Sequence, residues 1–539
     1  MSFRRPLTRQ MVPMIALTLA WLALGPRTAW ADPEVASVAA ADAPTPTALP
    51  VTATPAQPVE AEEPATIRAV VLGRTTTGQV GSFPIEAAGT PSANGLSVET
   101  RLRFRIEAAT PQGEWKALSR LTADVVDGVV WGPGTPWGDR MPGDRVQGPT
   151  LQESWVGLEH GKAFGARAGA MTSHWGLGLV ANDGGADLEA GRQEWFALQR
   201  SGDRVMRAAV YGVPFVGQDN PLRGLHLSAA VDRVLEDDSA DLRESQQATQ
   251  GVLAARLFFG EKRWVGVYGV YRDQLHDDGK QLQVTVLDVA CDFDERAKDG
   301  AGIRIQGEFA AIQGSTTLSP TPEFPQHDVA QFAALVRGTW ADALPGLTAQ
   351  LDAGFFSGDE NLDDGKLTAF RADRNLRQGF LLFEQVLATQ TGRARRNASD
   401  PELVGYPAED MDRLASDGAV FDAVTVFPKV GYKPLSWLEI YAGALAAWAP
   451  SRLVDPYLTR TQGGGYPRNF LGAKADGNLL GVELDLGVRA TWAMPGMTDQ
   501  VVQLALEAGH LQPGDALRGS DDQPDTVQAA RLTLGLLTR

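Results

Sequence analysis

Six histidines, one cysteine and several acidic runs are the residues of this 539-residue sequence that could carry catalytic or metal chemistry. The histidines are scattered, without the spacing of metal ligands. Ser173 and His174 are adjacent, but consecutive side chains of an extended chain point to opposite sides, so they make a poor nucleophile–base pair. Nucleophile-elbow, zinc-protease and phosphate-loop motifs are absent from the sequence. The sequence therefore predicts no enzyme, no catalytic residues, no metal and no cofactor.

An acidic run at 359–364 spaces its oxygen-bearing side chains somewhat as a calcium loop does. Its glycine, Gly365, is displaced by one position, and no glutamate stands at the twelfth position. A solvated loop is the favoured interpretation, and whether the run binds Ca²⁺ stays open. Cys291 lies in an alternating run and is interpreted as an ordinary strand residue, and His510 as part of an aromatic girdle.

A stripe of arginines, Arg101, Arg103 and Arg105, repeats at every second residue. On a strand these guanidinium groups would share one face at intervals of about 7 Å. Such a stripe suits anionic groups that slide past it, because arginine stays charged and binds carboxylates with two donors. It equally suits pairing with Asp124 and Asp127 of a neighbouring strand, and both interpretations remain open.

The segment 480–492 alternates most strictly, with an apolar residue at every second position and charges between them. A charge facing lipid near the bilayer midplane costs about 2–4 kcal/mol, so the charged face should point into a wet lumen. On this argument, substitution of Glu483 by arginine should be tolerated, whereas arginine at Leu484 should not. The predicted pore-lining residues are Arg101, Arg103, Arg105, Glu107, Arg304, Glu308, Glu483, Asp485 and Arg489. The predicted lipid-facing residues are Phe104, Val482, Leu484, Leu486, Val488 and Trp492.

Three regions differ in composition. Residues 1–31 combine Arg4, Arg5 and Arg9 with a short apolar run and a small-residue cleavage site, the pattern of a signal peptide. Residues 32–65 are rich in Ala, Pro and Thr and predict a disordered periplasmic segment. The formal charge of −17, about −21 without the four arginines of residues 1–31, argues against nucleic acid as a partner. Residues 66–539 are predicted to form an outer-membrane β-barrel.

About eighteen strands are predicted from the period-two pattern. Short connections alternate with long ones, as expected for an all-β, antiparallel transmembrane barrel with short periplasmic turns and long extracellular loops. An even number of strands leaves both termini in the periplasm. The segment 379–388 would break this alternation and is assigned to the long 358–420 loop. The predicted strands are 66–73, 98–108, 118–131, 153–162, 165–172, 203–212, 223–233, 249–260, 263–273, 281–293, 302–313, 328–340, 347–357, 421–432, 437–448, 479–492, 501–511 and 526–538.

Two stretches carry a family resemblance. The run from Met171 to Gly185, with the strands at 100–104 and 125–131, resembles a family of large uncharacterised bacterial outer-membrane β-barrels. The run from Phe355 to Lys366 is similar to the strand-to-loop junction of alginate-export barrels. The resemblance implies an eighteen-strand, porin-like barrel that passes an anionic polysaccharide or small solutes. Such barrels commonly end on an aromatic residue, whereas this chain ends Leu536-Leu537-Thr538-Arg539.

Three functions of different classes remain after these arguments. A Gram-negative outer-membrane channel for diffusion or export of small solutes or anionic saccharides is favoured, since so large a barrel encloses space. A surface structural or adhesive protein and, less favoured, an outer-membrane hydrolase are the alternatives. The expected partners are outer-membrane lipid, the barrel-assembly machinery and a small solute or saccharide. The sequence leaves the solute, the ion selectivity and the oligomeric state open.

Overall fold

The computed structural model describes residues 65–538 apart from short gaps. Those gaps lie at 94, 111–113, 133–145, 162, 261, 298–299, 319, 321–322, 362–363, 399–414, 463, 495 and 520–524. The predicted signal peptide and nearly all of the predicted disordered segment lie outside the described residues. Among the described helices, none is long and apolar enough to cross a membrane.

One antiparallel sheet of eighteen long strands closes on itself, with two further strands of two residues each, Val146–Gln147 and Lys366–Leu367. Each long strand pairs with its neighbours in sequence, and β1 pairs with β18 from Gly73↔Leu536 to Val80↔Ala529. The predicted eighteen-strand barrel is therefore confirmed. The long strands are β1 Thr66–Val80, β2 Ser97–Ala109, β3 Trp115–Trp131, β4 Thr150–His160, β5 Phe164–Met171, β6 Arg204–Gly212, β7 Leu225–Glu236, β8 Gln247–Phe258, β9 Arg263–Leu275, β10 Gln281–Asp294, β11 Gly302–Thr316, β12 His327–Leu344, β13 Leu347–Phe356, β14 Ala423–Leu435, β15 Leu438–Trp448, β16 Leu479–Met494, β17 Met497–Pro513 and β18 Val527–Thr538.

The outer wall is apolar, and aromatic residues mark both of its rims. Leu484 and Leu486 are 58% and 57% exposed, and more than forty other large apolar side chains are exposed with them. At the end with the short turns, Trp437 and Trp492 stack with their ring centroids 6.1 Å apart. Towards the opposite end, Phe332 stacks on Phe355 at 5.3 Å. An apolar band between aromatic girdles is the surface that a transmembrane barrel presents to lipid.

Two long connections fill much of the barrel interior. The first inserted loop, 172–203, joins β5 to β6, and the second inserted loop, 357–422, joins β13 to β14. The second contains a π-helical segment, Leu382–Leu387, that continues as the α-helix α1, Ala388–Ala398. The segment 379–388, which alternates weakly in sequence, is therefore part of this loop and not a wall strand. A second, six-residue helix, α2 (Pro456–Thr461), lies in the connection between β15 and β16.

The main hydrophobic core lies inside the barrel and not between sheets. Phe380, Leu381 and Phe383 of the second inserted loop are at most 3% exposed, and the same cluster includes Leu335 and Phe427 of the wall. A large barrel has more lumen than wall side chains can fill, and these loops supply the missing volume.

Candidate functional site: the lumen and its inserted loops

Wall carboxylates hold both inserted loops by accepting their backbone N–H groups. Glu308 of β11 accepts from Leu177 and, at 3.0 Å, from Leu179 of the first inserted loop. Glu483 of β16 accepts from Phe380, from Leu381 at 2.8 Å and from Leu382 at 2.7 Å, where the helical part of the second loop begins. The free N–H groups and the dipole of a helix start favour an anion there. Glu308 and Glu483, predicted to line the pore, are buried beneath the loops.

The tip of the first inserted loop reaches the seam where the barrel closes. Leu188 is 1% exposed and packs with Leu72 of β1 and Leu537 of β18. Asp187 bonds to Arg74 of β1, and Ala190 N–H donates to the Thr538 carbonyl at 2.9 Å. The loop therefore crosses the lumen from the end of the barrel with the long loops to the end with the short turns. There it contacts both the first and the last strand.

Further along the first inserted loop, Glu194 joins an ion cluster on β12–β14. Arg337 of β12 pairs with Glu194 at 2.6 Å and with Asp352 at 2.9 Å, and Lys429 of β14 pairs with Asp352 at 2.9 Å. Burial acts to raise the pKa of Glu194, but the charge and hydrogen bonds of Arg337 outweigh burial and lower it. A buried ionised carboxylate is stable only with such partners.

The arginine stripe divides into a buried part and a part nearer the short turns. Arg103 forms a two-donor contact with Asp124, at 2.6 and 2.8 Å, and is 5% exposed. Arg101 is 1% exposed and donates to the Gly184 carbonyl of the first inserted loop at 3.0 Å. The pairing of this stripe with carboxylates of the neighbouring strand, one of the two interpretations from sequence, is thus observed for Arg103 and, with Arg101 Nε 3.7 Å from Asp124, for Arg101. Only Arg105 is partly exposed, and its Nε has no hydrogen-bond partner among the described residues.

The other predicted pore-lining residues also face the interior. Some of them are buried and the others are partly exposed. Asp485 is 3% exposed, and Arg489 is 8% exposed and lies 5.1 Å from the Tyr441 ring. Glu107 is partly exposed and pairs with Arg120 at 2.8 Å. Arg304 forms a two-donor contact with Asp292, at 2.9 and 2.6 Å. That they line a water-filled path stays a prediction, and for the buried members the inserted loops occupy the space next to them.

The predicted lipid-facing residues all point outward. Phe104 is 45% exposed and Val482, Leu484, Leu486, Val488 and Trp492 range from 38% to 58%. Their contact with lipid stays a prediction, although they lie on the apolar outer wall described above.

The inner wall is left partly uncovered along β2–β6 near the short turns. We call this space the vestibule, and define it by the partly exposed inner-face residues Arg105, Glu107, Arg120, Glu159, Arg167 and Tyr211. Arg167 pairs with Glu159 at 3.4 Å, and the Tyr211 hydroxyl donates to Glu159 at 2.7 Å. On the opposite wall, Tyr441 and Leu537 are fully buried at a comparable depth, because the first inserted loop covers them. The open space is therefore off-centre in the barrel.

At the end of the barrel with the long loops, the two inserted loops are hydrogen-bonded to each other. Asp373 of the second loop accepts the N–H of Asn182 at 2.8 Å, and its own N–H donates to the Leu179 carbonyl at 2.8 Å. The Asn375 side chain adds a bond to the Asn182 carbonyl at 3.2 Å and accepts the Arg200 N–H at 2.7 Å. Sequence reasoning missed this junction, since residues almost two hundred positions apart give no local signal.

The residues singled out for chemistry take structural positions. His174 is partly buried in the first inserted loop, 3.7 Å from Asp183, and removal from water lowers its pKa. His510 is exposed on the outer face of β17. In the acidic run, Asp359 accepts from Asn361 and Thr368, and Asp364 from Lys366, all backbone N–H groups, while Asp363 lies outside the described residues. Across the described part of the chain, no three His, Cys, Asp or Glu side chains are grouped to hold a metal.

Comparison with solved structures gives several similar folds. OccAB1 of Acinetobacter baumannii aligns with 11% identity and a TM-score of 0.44, over 88% of this chain and 96% of that one. OpdQ of Pseudomonas aeruginosa aligns with 11% identity and a TM-score of 0.46, over 88% and 98%. The outer membrane channel DcaP of A. baumannii aligns with 8% identity and a TM-score of 0.39, over 88% and 97%. No protein-family model matches the sequence, and no curated protein matches it significantly.

Proposed function

We propose that the protein is an outer-membrane channel, without enzymatic activity, that passes small solutes through an off-centre path. The observation that carries this proposal is the vestibule, a partly exposed charged space inside a closed barrel whose outer wall is apolar.

The charges of the vestibule favour small polar or anionic solutes. Arg105 contributes a positive charge on a side chain that is partly exposed, although its Nε is buried. Arg120 and Arg167 also lie there, but each pairs with glutamates, at 2.8 Å to Glu107 and 3.4 Å to Glu159. A cation in a narrow lumen is screened less than one on an open surface, so Arg105 should influence ion selectivity most. Acidic saccharides are the largest molecules among the solutes that we propose.

The test replaces Arg105 alone, because Arg103 makes a two-donor contact with the buried Asp124, and its loss would disturb the fold as well as the charge of the lumen. Arg105→Gln should shift the reversal potential in a salt gradient towards cation preference and weaken block by an acidic oligosaccharide. Arg105→Lys, which keeps the charge, is the matched control and should retain the selectivity of the unmodified protein. Identical selectivity of the glutamine variant and the unmodified protein would remove the role given to Arg105.

A further inference from the structure

The chain enters the barrel at the rim of the vestibule. β1 begins at Thr66, which lies opposite Ala109 of β2, and Ala109 in turn lies opposite Leu118 of β3. On the inner face of the wall Thr66 is exposed, and Ala109 and Leu118 are partly exposed. The inserted loops therefore leave this part of the inner wall uncovered, directly beside the point where residues 32–64 join the barrel.

One cation of the vestibule lacks a carboxylate partner. Arg105 lies opposite Val70 of β1, four residues along that strand from Thr66. Arg105 forms no ion pair within the described part of the chain, and the charges that act on it most strongly are those of two other cations, Arg120 and Arg103. Its uncompensated charge makes this part of the vestibule attractive to an anion.

A second arginine at the rim is only weakly held. Arg68 stands on the inner face of β1 between Thr66 and Val70. Its side chain is 47% exposed, and that of its partner Asp499, 3.2 Å away on β17, is 62% exposed. A pair as exposed as this contributes little, because water competes for both charges. Arg68 is therefore available to another carboxylate.

The sequence before β1 carries the complementary charge. Residues 32–64 contain six acidic residues and neither lysine nor arginine. Three of the acids, Glu60, Glu62 and Glu63, stand within six residues of Thr66, and we call residues 60–63 the acidic segment. An anionic segment is thus attached to the barrel wall next to a space that holds an uncompensated cation.

The chain is long enough to bring the acidic segment to Arg105. Along β1, Thr66 and Val70 are about 13 Å apart. Glu62 and Glu60 precede Thr66 by four and six residues, which span up to about 14 and 21 Å when extended. A reversal of the chain just before Thr66 therefore suffices to place a glutamate level with Val70 and beside Arg105.

We propose that the acidic segment binds inside the vestibule, with one glutamate at Arg105 and another at Arg68, and that it competes there with anionic solutes. This inference rests on the proposed channel function. Because the segment is attached to the rim, its effective concentration at Arg105 is far above that of a dilute solute. An anionic solute must displace the segment to reach Arg105, so the contact restricts passage until that solute is abundant.

The first experiment measures how trigalacturonate, an acidic oligosaccharide, blocks single channels in a planar bilayer. Replacing the three glutamates of the acidic segment by glutamine should lower the half-blocking concentration about threefold or more, because the solute no longer has a tethered competitor. The matched control removes three acids that stand farther from β1, through Asp32→Asn, Glu34→Gln and Asp42→Asn. This control should be blocked like the unmodified protein. Equal shifts in the two variants, or no shift in the glutamate variant, would overturn the proposal.

Arg105→Gln tests whether Arg105 is the partner of the acidic segment. In that background the glutamate substitutions should lose most of their effect on block, because the cation that held the segment is absent. Arg105→Lys keeps the charge and is the matched control, so the substitutions should act there as they do in the unmodified protein. An undiminished effect in Arg105→Gln would place the segment elsewhere and contradict the proposal, while leaving the channel function intact.

A cross-linking experiment tests the contact without conduction. In a Cys291→Ser background, Glu62→Cys and Ala109→Cys should form a disulfide on mild oxidation, because the proposed position brings the two Cα atoms within about 7 Å. Ala108→Cys, at the neighbouring residue on the outer face of β2, is the matched control and should not pair with Glu62→Cys. Equal yields at the two positions, or a disulfide between two molecules in place of an internal one, would reject the proposal. Absence of current from folded protein would reject the channel function instead.

Discussion

At the scale of single residues, neighbouring positions of β16 have different surroundings. Leu484 and Glu483 lie on opposite faces of β16, as the pattern indicates. The structure gives a different expectation for arginine at Glu483 than the alternation does. Glu483 is fully buried and holds three backbone N–H groups of a distant loop, which alternation within a strand cannot reveal.

Leu484→Arg and Glu483→Arg should therefore both be harmful, the first to membrane insertion and the second to the packing of the second inserted loop. Arginine at Leu484 places a charge at bilayer depth and should reduce insertion by about 2–4 kcal/mol. Arginine at Glu483 faces the start of a helix, where a cation is repelled, and should release the second inserted loop without preventing insertion. The yield of folded protein in membranes separates the two, and protease sensitivity of the loop reports the second. Normal insertion of Leu484→Arg would contradict the lipid-facing assignment, and Glu483→Gln is the milder control.

At the scale of elements, the strands were predictable because each carries its own period-two pattern, and their bounds differ from prediction mostly at the ends. The positions of the inserted loops could not be predicted from the sequence. Their apolar residues, such as Phe380–Phe383, pack against wall residues that are far away in sequence. The seam contact of the first inserted loop is an example, since Leu188 packs on both terminal strands.

Leu188→Ala should loosen this seam. Deleting a fully buried leucine side chain costs about 2–5 kcal/mol, here at the contact between β1 and β18. The temperature at which the folded band disappears in detergent electrophoresis should fall. Leu222→Ala, at an exposed position of the β6–β7 connection, should leave that temperature unchanged. An equal loss in both variants, or in neither, would contradict the role of the loop in bracing the seam.

At the scale of the whole molecule, a closed sheet leaves no free strand edge, which makes a barrel resistant to cold detergent. The unheated protein should therefore migrate at a different apparent mass from the boiled protein and partition with outer membranes. Arg103→Gln should weaken this resistance, because the buried Asp124 would lose its two-donor partner and keep only Arg101, at 3.7 Å, and Ser201. The cost should stay below the roughly 3–5 kcal/mol of a buried charge that loses all its partners. A water-soluble product whose migration does not depend on heating would contradict the barrel.

Conduction by the purified, folded protein in a planar bilayer tests whether this barrel is a channel. The structure combines a closed barrel, an apolar outer wall and an off-centre charged vestibule. Protein that shows the heat-dependent band should produce discrete, stepwise current increments. Fully folded protein that inserts into the bilayer but gives no current steps between pH 5 and 8 would contradict the channel function.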